Sequence, residues 1–320
     1  MKILFFSPDH TNSTDGVIVA GTRKLLRLIF GHYDFDYCDI DRPRPLLEEE
    51  HKGFNRYDLI VVIGTPWLWE GFEKSIKWNN LKQLLSEHKG TKVIFLGIGS
   101  CYFHNFYLTK LKNQAIEEIK EVYKDALIIV RDSLAQRKFK QAGLDVPLLL
   151  CPSYFAYHGR LHRYFPRDKN ILVWYDPTVG LSQSGWQDKE ILERYFDVNL
   201  EFYNKYEPEV YTHLTKEIPL AIKIGLPQPK LIGGWENTLT IMSTADRVLS
   251  GRVHCAVPAL VSGCVTGLFY IDSRSKTVSD FGGTIVKGIE DLDKMKKINL
   301  DLTTYAIEYF RIIRNYIENK

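Results

Sequence analysis

The chain has 320 residues, of which 45% are hydrophobic and 25% charged, and its formal net charge is only +3. This length allows two sizeable hydrophobic cores. The small net charge excludes a broad basic surface of the kind that binds nucleic acid, so any site for an anion has to be local. No apolar run approaches the length of a membrane-spanning helix, and we expect no transmembrane segment.

The cysteines give no sign of a disulfide framework. Their number, five, is odd, and no two of them have the C-x-x-C spacing. We therefore expect reduced cysteines in a cytoplasmic protein. The first residues, MKILFFSPDH, place proline and charge directly after a short apolar run. Such a pattern is typical of a buried first strand and not of a signal peptide.

Strand-like runs alternate with helical patterns along the first half. Continuous apolar runs predict strands, and apolar residues at helical spacing predict helices. The predicted strands are Lys2–Phe6, Phe35–Cys38, Leu59–Ile63, Val93–Leu96 and Ala126–Val130. The predicted helices are Val17–Phe30, Ile76–Leu85, Leu108–Tyr123 and Leu134–Ala142, the last of which is ended by Gly143.

The second half repeats this alternation after Ser153–Asn170, a segment without periodicity that we interpret as the interdomain link. Its predicted strands are Ile171–Trp174, Glu209–Tyr211, Arg247–Leu249 and Val265–Ile271. Its predicted helices are Lys189–Lys205, Pro219–Ile224 and Cys255–Val261, followed by a final helix at Leu302–Tyr316. The pattern predicts an α/β fold of two Rossmann-like domains with parallel sheets, residues 1–160 and 161–300. The last segment, 301–320, is expected to pack back on the first domain.

One stretch, Ile241–Phe281, concentrates the candidate chemistry. A strand is broken at Ser250-Gly251, and a compact apolar helix follows, with Pro258 tolerable only near its first turn. Arg252 and His254 therefore lie where a strand ends and a helix begins, a place that already favours an anion. A cation and a group that titrates near neutral pH could hold a negative ligand and move a proton. The alternative is a structural ion pair and a helix cap.

The motif SGRVHCA at residues 250–256, followed by Pro258 and Gly263, resembles the signature near the C-terminus of the polysaccharide pyruvyl transferase family. The resemblance implies a glycosyltransferase-B-like fold with an acceptor side in the first domain and a donor side in the second. It also implies a transferase of polysaccharide biosynthesis, which moves a pyruvyl unit from phosphoenolpyruvate to a free or lipid-linked saccharide. Arg252 and His254 would then be the catalytic pair. No cofactor and no metal are implied, and whether copies form a homo-oligomer stays open.

Three further candidates lie in the first half. Arg131 follows a predicted strand and could bind an anion or pair with Asp132. Gly99 and Ser100 follow another strand, where small residues allow a ligand to approach the backbone. Ser133 and a glutamine three residues later have the spacing of a capping box.

Further candidates, four residues and one acidic pair, are supported weakly. His213 and Glu217 follow a predicted strand of the second half, although a histidine in this place is more often a hydrogen-bonded loop residue. Asp272 or Glu217 could act as the base for a sugar hydroxyl. Trp67 could stack on a sugar ring, but packing in the core is its more common use. Asp39-x-Asp41 imitates a metal-binding pair, and we prefer a solvated loop there.

The chain departs from the family pattern at two positions. Only Gly64 stands where the family usually has a run of glycines, and Ser153 stands where an aspartate is expected. These departures leave two other functions open. One is a glycosyltransferase that uses a nucleotide sugar, and the other is a non-catalytic binding protein that retains the fold.

Overall fold

The computed structural model of the chain describes a defined subset of its residues: 1–7, 13–40, 57–102, 108–157, 169–175, 209–212, 230–231, 245–250, 253–269, 272–287 and 289–318. The chain divides into two units, Met1–Ala156 with Asp301–Lys320, and Tyr157–Leu300. The predicted boundary between residues 160 and 161 falls outside the described residues. No described helix is long and apolar enough to cross a membrane.

The strands and helices alternate as the sequence predicts. The strands are β1 (Lys2–Ser7), β2 (Asp34–Asp39), β3 (Leu59–Ile63), β4 (Pro66–Trp69), β5 (Lys92–Cys101), β6 (Leu127–Val130), β7 (Lys169–Tyr175), β8 (Glu209–Thr212), β9 (Lys230–Leu231), β10 (Ala245–Ser250), β11 (Val265–Phe269) and β12 (Thr284–Val286). The helices are α1 (Ser13–Phe30), α2 (Ile76–Glu87), α3 (Asn113–Tyr123), α4 (Ser133–Gln141), α5 (Val253–Val261), α6 (Lys276–Ser279) and α7 (Leu302–Glu318). The predicted α/β class is therefore confirmed.

The first sheet is parallel throughout. Its strands follow the order β2-β1-β3-β5, and β5 also pairs with β4 and β6. The prediction missed β4, because Gly64-Thr65 interrupts the apolar run and Pro66 indicates a turn. Proline is nevertheless acceptable as the first residue of a strand, where no ladder hydrogen bond is lost.

Strand β5 is longer than predicted and contains the segment Gly97 to Ser100, which we expected to follow it. Gly97 has a φ of 73°, and the register against β6 shifts between Leu96 and Ile98. A glycine in the left-handed region can form such a bulge without ending the strand. The neighbouring backbone is very close: a Cβ added at Gly64 would lie 2.2 Å from the carbonyl oxygen of Gly97.

Two local predictions for the first unit were wrong. Helix α3 begins at Asn113 and not at Leu108. The cap of α4 is Asp132, whose side chain accepts a hydrogen bond from the backbone N–H of Ala135, and not Ser133. The boundary between the units falls inside the predicted link, Ser153–Asn170, whose first residues belong to a buried 3-10 helix, Pro152–Tyr157.

Helix α7 completes the first unit, which confirms that the last helix packs back on the first domain. The buried Tyr309 donates its hydroxyl to the carbonyl of Leu150 at 2.7 Å and meets the ring of Phe155 edge to face. Tyr316 donates to the carbonyl of Asp125 at 2.7 Å. Apolar burial and these long-range hydrogen bonds together fix the helix.

The second sheet is also parallel, with the order β12-β11-β10-β7-β8-β9. The chain runs outward from β7 to β9 and then returns to β10 on the other side of β7. The direction of winding therefore reverses between β7 and β10, the kind of place where α/β proteins bind ligands. The predicted helices Lys189–Lys205 and Pro219–Ile224 lie outside the described residues.

Helix α5 begins two residues earlier than predicted, so Pro258 is its sixth residue and not part of its first turn. The helix ends at Val261, and Gly263 follows it with a φ of 74°. The N–H of Gly263 donates to the carbonyl of Leu260, and that of Cys264 donates to the carbonyl of Ala259. These bonds satisfy carbonyls of the last turn.

Candidate functional site

The candidate site of the second unit is the connection between β10 and α5. Strand β10 ends at Ser250, which pairs with Trp174 of β7 and with Leu268 of β11. Helix α5 starts at Val253. Only two residues separate strand and helix, so the first turn of α5 starts at the carboxyl edge of the sheet where the winding reverses. The N–H groups of a first helical turn have no intrahelical partner and suit an anion.

His254 is the second residue of this helix. It is 8% exposed, so its imidazole lies largely out of water. Pro258 has no N–H, and the intrahelical bond that would run from residue 258 to the carbonyl of His254 cannot form. The proline thus loosens the hydrogen-bond ladder at the turn that carries the histidine. Arg252, its predicted partner, lies outside the described residues.

Asp272 is engaged inside its own turn. Its side chain accepts a hydrogen bond from the backbone N–H of Arg274 at 2.8 Å and caps the 3-10 turn Ser273–Ser275. The guanidinium of Arg274 donates hydrogen bonds to both carboxylate oxygens, from Nη2 to Oδ2 at 2.6 Å and from Nε to Oδ1 at 2.9 Å. A bidentate pair of this kind holds the carboxylate within its own turn and favours a structural role over that of a base.

His213 and Glu217 both lie outside the described residues. The last described residue before them is Thr212, which ends β8 beside Tyr175 of β7. Their assignment as substrate-binding residues stays a prediction.

The candidates of the first unit lie together at the edge of β5 and β6. Arg131 is 1% exposed and follows β6, and its guanidinium lies against Gly99: a Cβ added there would be 2.4 Å from Nε. Its Nη1 is 3.8 Å from the sulfur of Cys151. Glycine at position 99 is therefore required by the close approach of Arg131, and the two predicted residues are brought into one contact.

Asp132 joins this cluster and was missed as a member of it. It is fully buried, and its Oδ1 accepts hydrogen bonds from the Ser100 hydroxyl at 2.7 Å and the Ala135 N–H at 2.7 Å. Its Oδ2 accepts from the Ser100 N–H at 2.8 Å. Burial raises the pKa of this carboxyl, which the hydrogen bonds from Ala135 and Ser100 oppose. The signal was present in the sequence, because an aspartate directly before a helix is a frequent cap.

Trp67 is completely buried in β4 and packs against Phe6, with ring centroids 6.3 Å apart. This placement favours core packing over sugar stacking. Lys77 lies above its ring, with Nζ 4.9 Å from the centroid, and donates to the hydroxyl of Thr65 at 3.0 Å. No motif or spacing in the sequence indicated a role for Lys77.

Metal ligands are not gathered anywhere in the described part of the chain: no group of three or more His, Cys, Asp or Glu residues could hold a metal there. Asp39 ends β2, and Asp41 lies outside the described residues. The pair Asp39-x-Asp41 therefore stays untested.

The sequence profile of the family described as polysaccharide pyruvyl transferase matches residues 15–273. The chain belongs to this family. The matched range includes Arg131, Arg252, His254 and Asp272. No curated protein matches the chain.

Solved structures of other proteins share the fold at low sequence identity. A putative UDP-N-acetylglucosamine 2-epimerase from Listeria monocytogenes is 11% identical, with a TM-score of 0.62 over 100% of this chain and 97% of that chain. The UDP-GlcNAc 2-epimerase of Methanocaldococcus jannaschii in complex with UDP-GlcNAc and UDP is 12% identical, with a TM-score of 0.58 over 98% and 99% of the two chains. This pyruvyl transferase family member thus has the predicted glycosyltransferase-B class of α/β fold.

Proposed function

We propose that the protein transfers a pyruvyl unit from phosphoenolpyruvate to a sugar residue of a glycan. Two sugar hydroxyl oxygens bond to the central carbon of the donor, and its bond to the phosphate oxygen breaks. One hydroxyl proton ends on the methylene carbon, which becomes a methyl group, and the other leaves with the phosphate. Membership of the family supports this reaction, and the start of α5 at the carboxyl edge of the second sheet, with His254 in its first turn, is the observation that carries it.

The donor carries about three negative charges and needs cationic and N–H partners, since charge-assisted hydrogen bonds contribute roughly 1.5–3 kcal/mol each. Arg252 would hold the phosphate or the carboxylate beside the backbone N–H groups of the first turn. His254 would deliver the proton to the methylene carbon, a role worth roughly 10²–10⁴-fold in rate. In the first unit, Arg131 with Gly99 and Ser100 is the proposed substrate-binding cluster.

The acceptor side and the setting complete the proposal. The acceptor is a saccharide, free or lipid-linked, of a cell-envelope polysaccharide, and the cysteine pattern supports a cytoplasmic location. No cofactor beyond the donor substrate is proposed. His213 and Glu217 are retained as substrate-binding residues of the second unit, with Glu217 as the base for the sugar hydroxyl.

Calorimetric titration of phosphoenolpyruvate into the wild type and into Arg252→Ala tests the donor site. Saturable binding in the wild type that Arg252→Ala weakens by at least tenfold is the expected result, as the loss of one charge-assisted contact amounts to that factor. Equal binding by both proteins would remove Arg252 from the donor site. Chemical shifts of the protein in the presence of a saccharide would show whether an acceptor is needed before the donor binds.

A nucleotide-sugar glycosyltransferase is the second candidate function. The start of α5 would suit a diphosphate as well as a phosphate, and the Methanocaldococcus jannaschii relative was solved with UDP-GlcNAc and UDP. Titration with uridine diphosphate separates the two functions. Binding of the nucleotide without binding of phosphoenolpyruvate would favour the glycosyltransferase, and binding of neither would favour the non-catalytic alternative.

A further inference from the structure

The first unit carries a surface that the proposed reaction does not use. It is formed by the segment 108–112 before α3 and by the outer side of α4. Its exposed members are Leu108, Lys110, Lys112, Arg137 and Lys140, and we call them the cationic patch. Leu108 is 84% exposed, the largest value among the exposed large hydrophobic residues of the described chain.

Two hydrogen bonds hold the two parts of the patch together. The backbone N–H of Leu111 donates to Oε1 of Gln141 at 3.1 Å, and the buried Lys138 donates from Nζ to the carbonyl of Thr109. Lys138 also lies 4.6 Å above the ring of Tyr102. The segment 108–112 is therefore tied to α4, although it contains no regular secondary structure of its own.

Helical spacing places the cations of α4 beside that segment. Gln141, which contacts the segment, is four residues after Arg137, and residues at this spacing share a helix face. Lys140 is three residues after Arg137, the other spacing at which side chains on a helix are neighbours. The side chains of Arg137 and Lys140 thus extend the surface that begins with Lys110 and Lys112.

The charge of the patch is not neutralised by its surroundings. Among the described residues, none of the side chains of Lys110, Lys112, Arg137 and Lys140 forms an ion pair or a hydrogen bond. Two carboxylates, those of Glu70 and Glu73, border it around a small cavity that Lys110 and Lys112 also line. The sequence from 102 to 116 contains no acidic residue. Four exposed cations therefore face two carboxylates.

We propose that the cationic patch docks the first unit on an anionic phospholipid surface. Exposed cations are attracted by the negative potential of such a surface, and an exposed leucine in the same segment gains by entering the interface. A soluble acidic partner would satisfy the cations but gives no reason for an aliphatic side chain held in water beside them. The proposal does not depend on the reaction, but it would bring the enzyme to a lipid-linked saccharide.

Co-sedimentation with vesicles tests the docking directly, without donor or acceptor. The wild type is expected to partition onto vesicles of phosphatidylcholine with 30% phosphatidylglycerol and to remain in solution with phosphatidylcholine alone. Lys110→Gln with Lys112→Gln should weaken the partition roughly 30-fold, since each cation near a membrane surface contributes roughly fivefold. Leu108→Ser should weaken it about tenfold through the lost apolar burial.

A matched control removes the same charge elsewhere on the first unit. Lys89→Gln with Lys124→Gln also removes two exposed lysines, which lie at the other edge of the sheet, where β5 and β6 begin. The partition of this variant should stay within twofold of the wild type. Equal loss in both double variants would reduce the effect to net charge and overturn the proposal. Absence of wild-type binding to the anionic vesicles, or equal binding to the neutral ones, would overturn it as well.

Discussion

The carboxyl edges of the two sheets differ in the residues and contacts that they contain. In the first unit the edge carries a connected polar cluster: Asp132 accepts three hydrogen bonds, and the guanidinium of Arg131 occupies the space that a side chain at position 99 would need. In the second unit β10 runs almost directly into α5, and His254 lies in the first turn. The first edge thus holds a buried cation in a network of side chains, whereas at the second edge a helix begins with a histidine in its first turn.

At the carboxyl edge of the first sheet, we expect Gly64→Ala to cause the largest loss of stability. The added Cβ would lie 2.2 Å from the carbonyl oxygen of Gly97 and 2.5 Å from that of Leu96, and backbone atoms of a buried strand cannot move aside cheaply. We expect a loss of about 4 kcal/mol or more in the free energy of unfolding, measured in urea. Gly31→Ala is the control: its φ is 72° but nothing lies within 4 Å, so it should cost only about 1–2 kcal/mol.

His254→Gln should abolish the proposed proton transfer at the second edge without unfolding the protein. If His254 delivers the proton, kcat for pyruvyl transfer falls by roughly 10²–10⁴-fold. The free energy of unfolding should change by less than about 1 kcal/mol, because glutamine keeps a polar side chain of similar size at the helix start. Wild-type turnover by this variant would contradict the assignment.

Asp272→Asn should lower stability but not kcat, which is the opposite of the result expected for His254→Gln. It removes the charge that Arg274 grips, so stability should fall by about 2 kcal/mol while kcat of the folded protein is retained. Loss of kcat at unchanged stability would instead restore Asp272 as the base.

Asp132→Ala should cost the first unit about 3 kcal/mol. It removes a helix cap and leaves the buried N–H and hydroxyl of Ser100 without their acceptor. Asp132→Asn retains one acceptor oxygen and should cost less, which urea titration of the two variants can resolve. Equal stability of both variants and the wild type would show that the network contributes nothing.

The smallest expected effect is a pH dependence of stability, which comes from His88 between α2 and β5. Burial lowers the pKa of His88, which is 4% exposed, although Glu87 opposes the shift. In the unfolded chain this imidazole binds a proton near pH 6.5. The folded protein binds it only at lower pH, so stability is fully present above pH 6.5 and is lost as the pH falls.

Urea unfolding at several values between pH 7.5 and 5 measures this loss. The slope contributed by His88 is at most about 1.4 kcal/mol per pH unit. His88→Gln should flatten the profile, and an unchanged slope in this variant would assign it to other groups.

The backbone plan was predictable where the patterns are long. The apolar runs at β1 and β3 and the helical spacing of α7 fixed these elements to within one or two residues. What failed was short or interrupted: β4 has four residues and begins with proline, and the bulge at Gly97 hides half of β5. A glycine inside a strand is read as its end when the pairing partner is unknown.

The sites were predictable as positions but not as contacts. Arg131, Gly99 and Ser100 were named separately, because only pairing of β5 with β6 brings the ends of the two strands side by side. Asp132 was treated as the neighbour of Arg131 in sequence, whereas its partners come from β5 and α4. Lys77 gave no signal at all, since its contact with Trp67 depends on the strand that the prediction missed.

The return of α7 to the first unit has a consequence for how the chain folds during synthesis. The hydroxyl of Tyr309 meets the carbonyl of Leu150, and the 159 positions that separate the two residues include the whole second unit. Residues 1–156 therefore leave the ribosome long before the helix that completes their core. The second unit, continuous in sequence from 157 to 300, can fold while the first still waits. In this protein the unit that is made first is finished last.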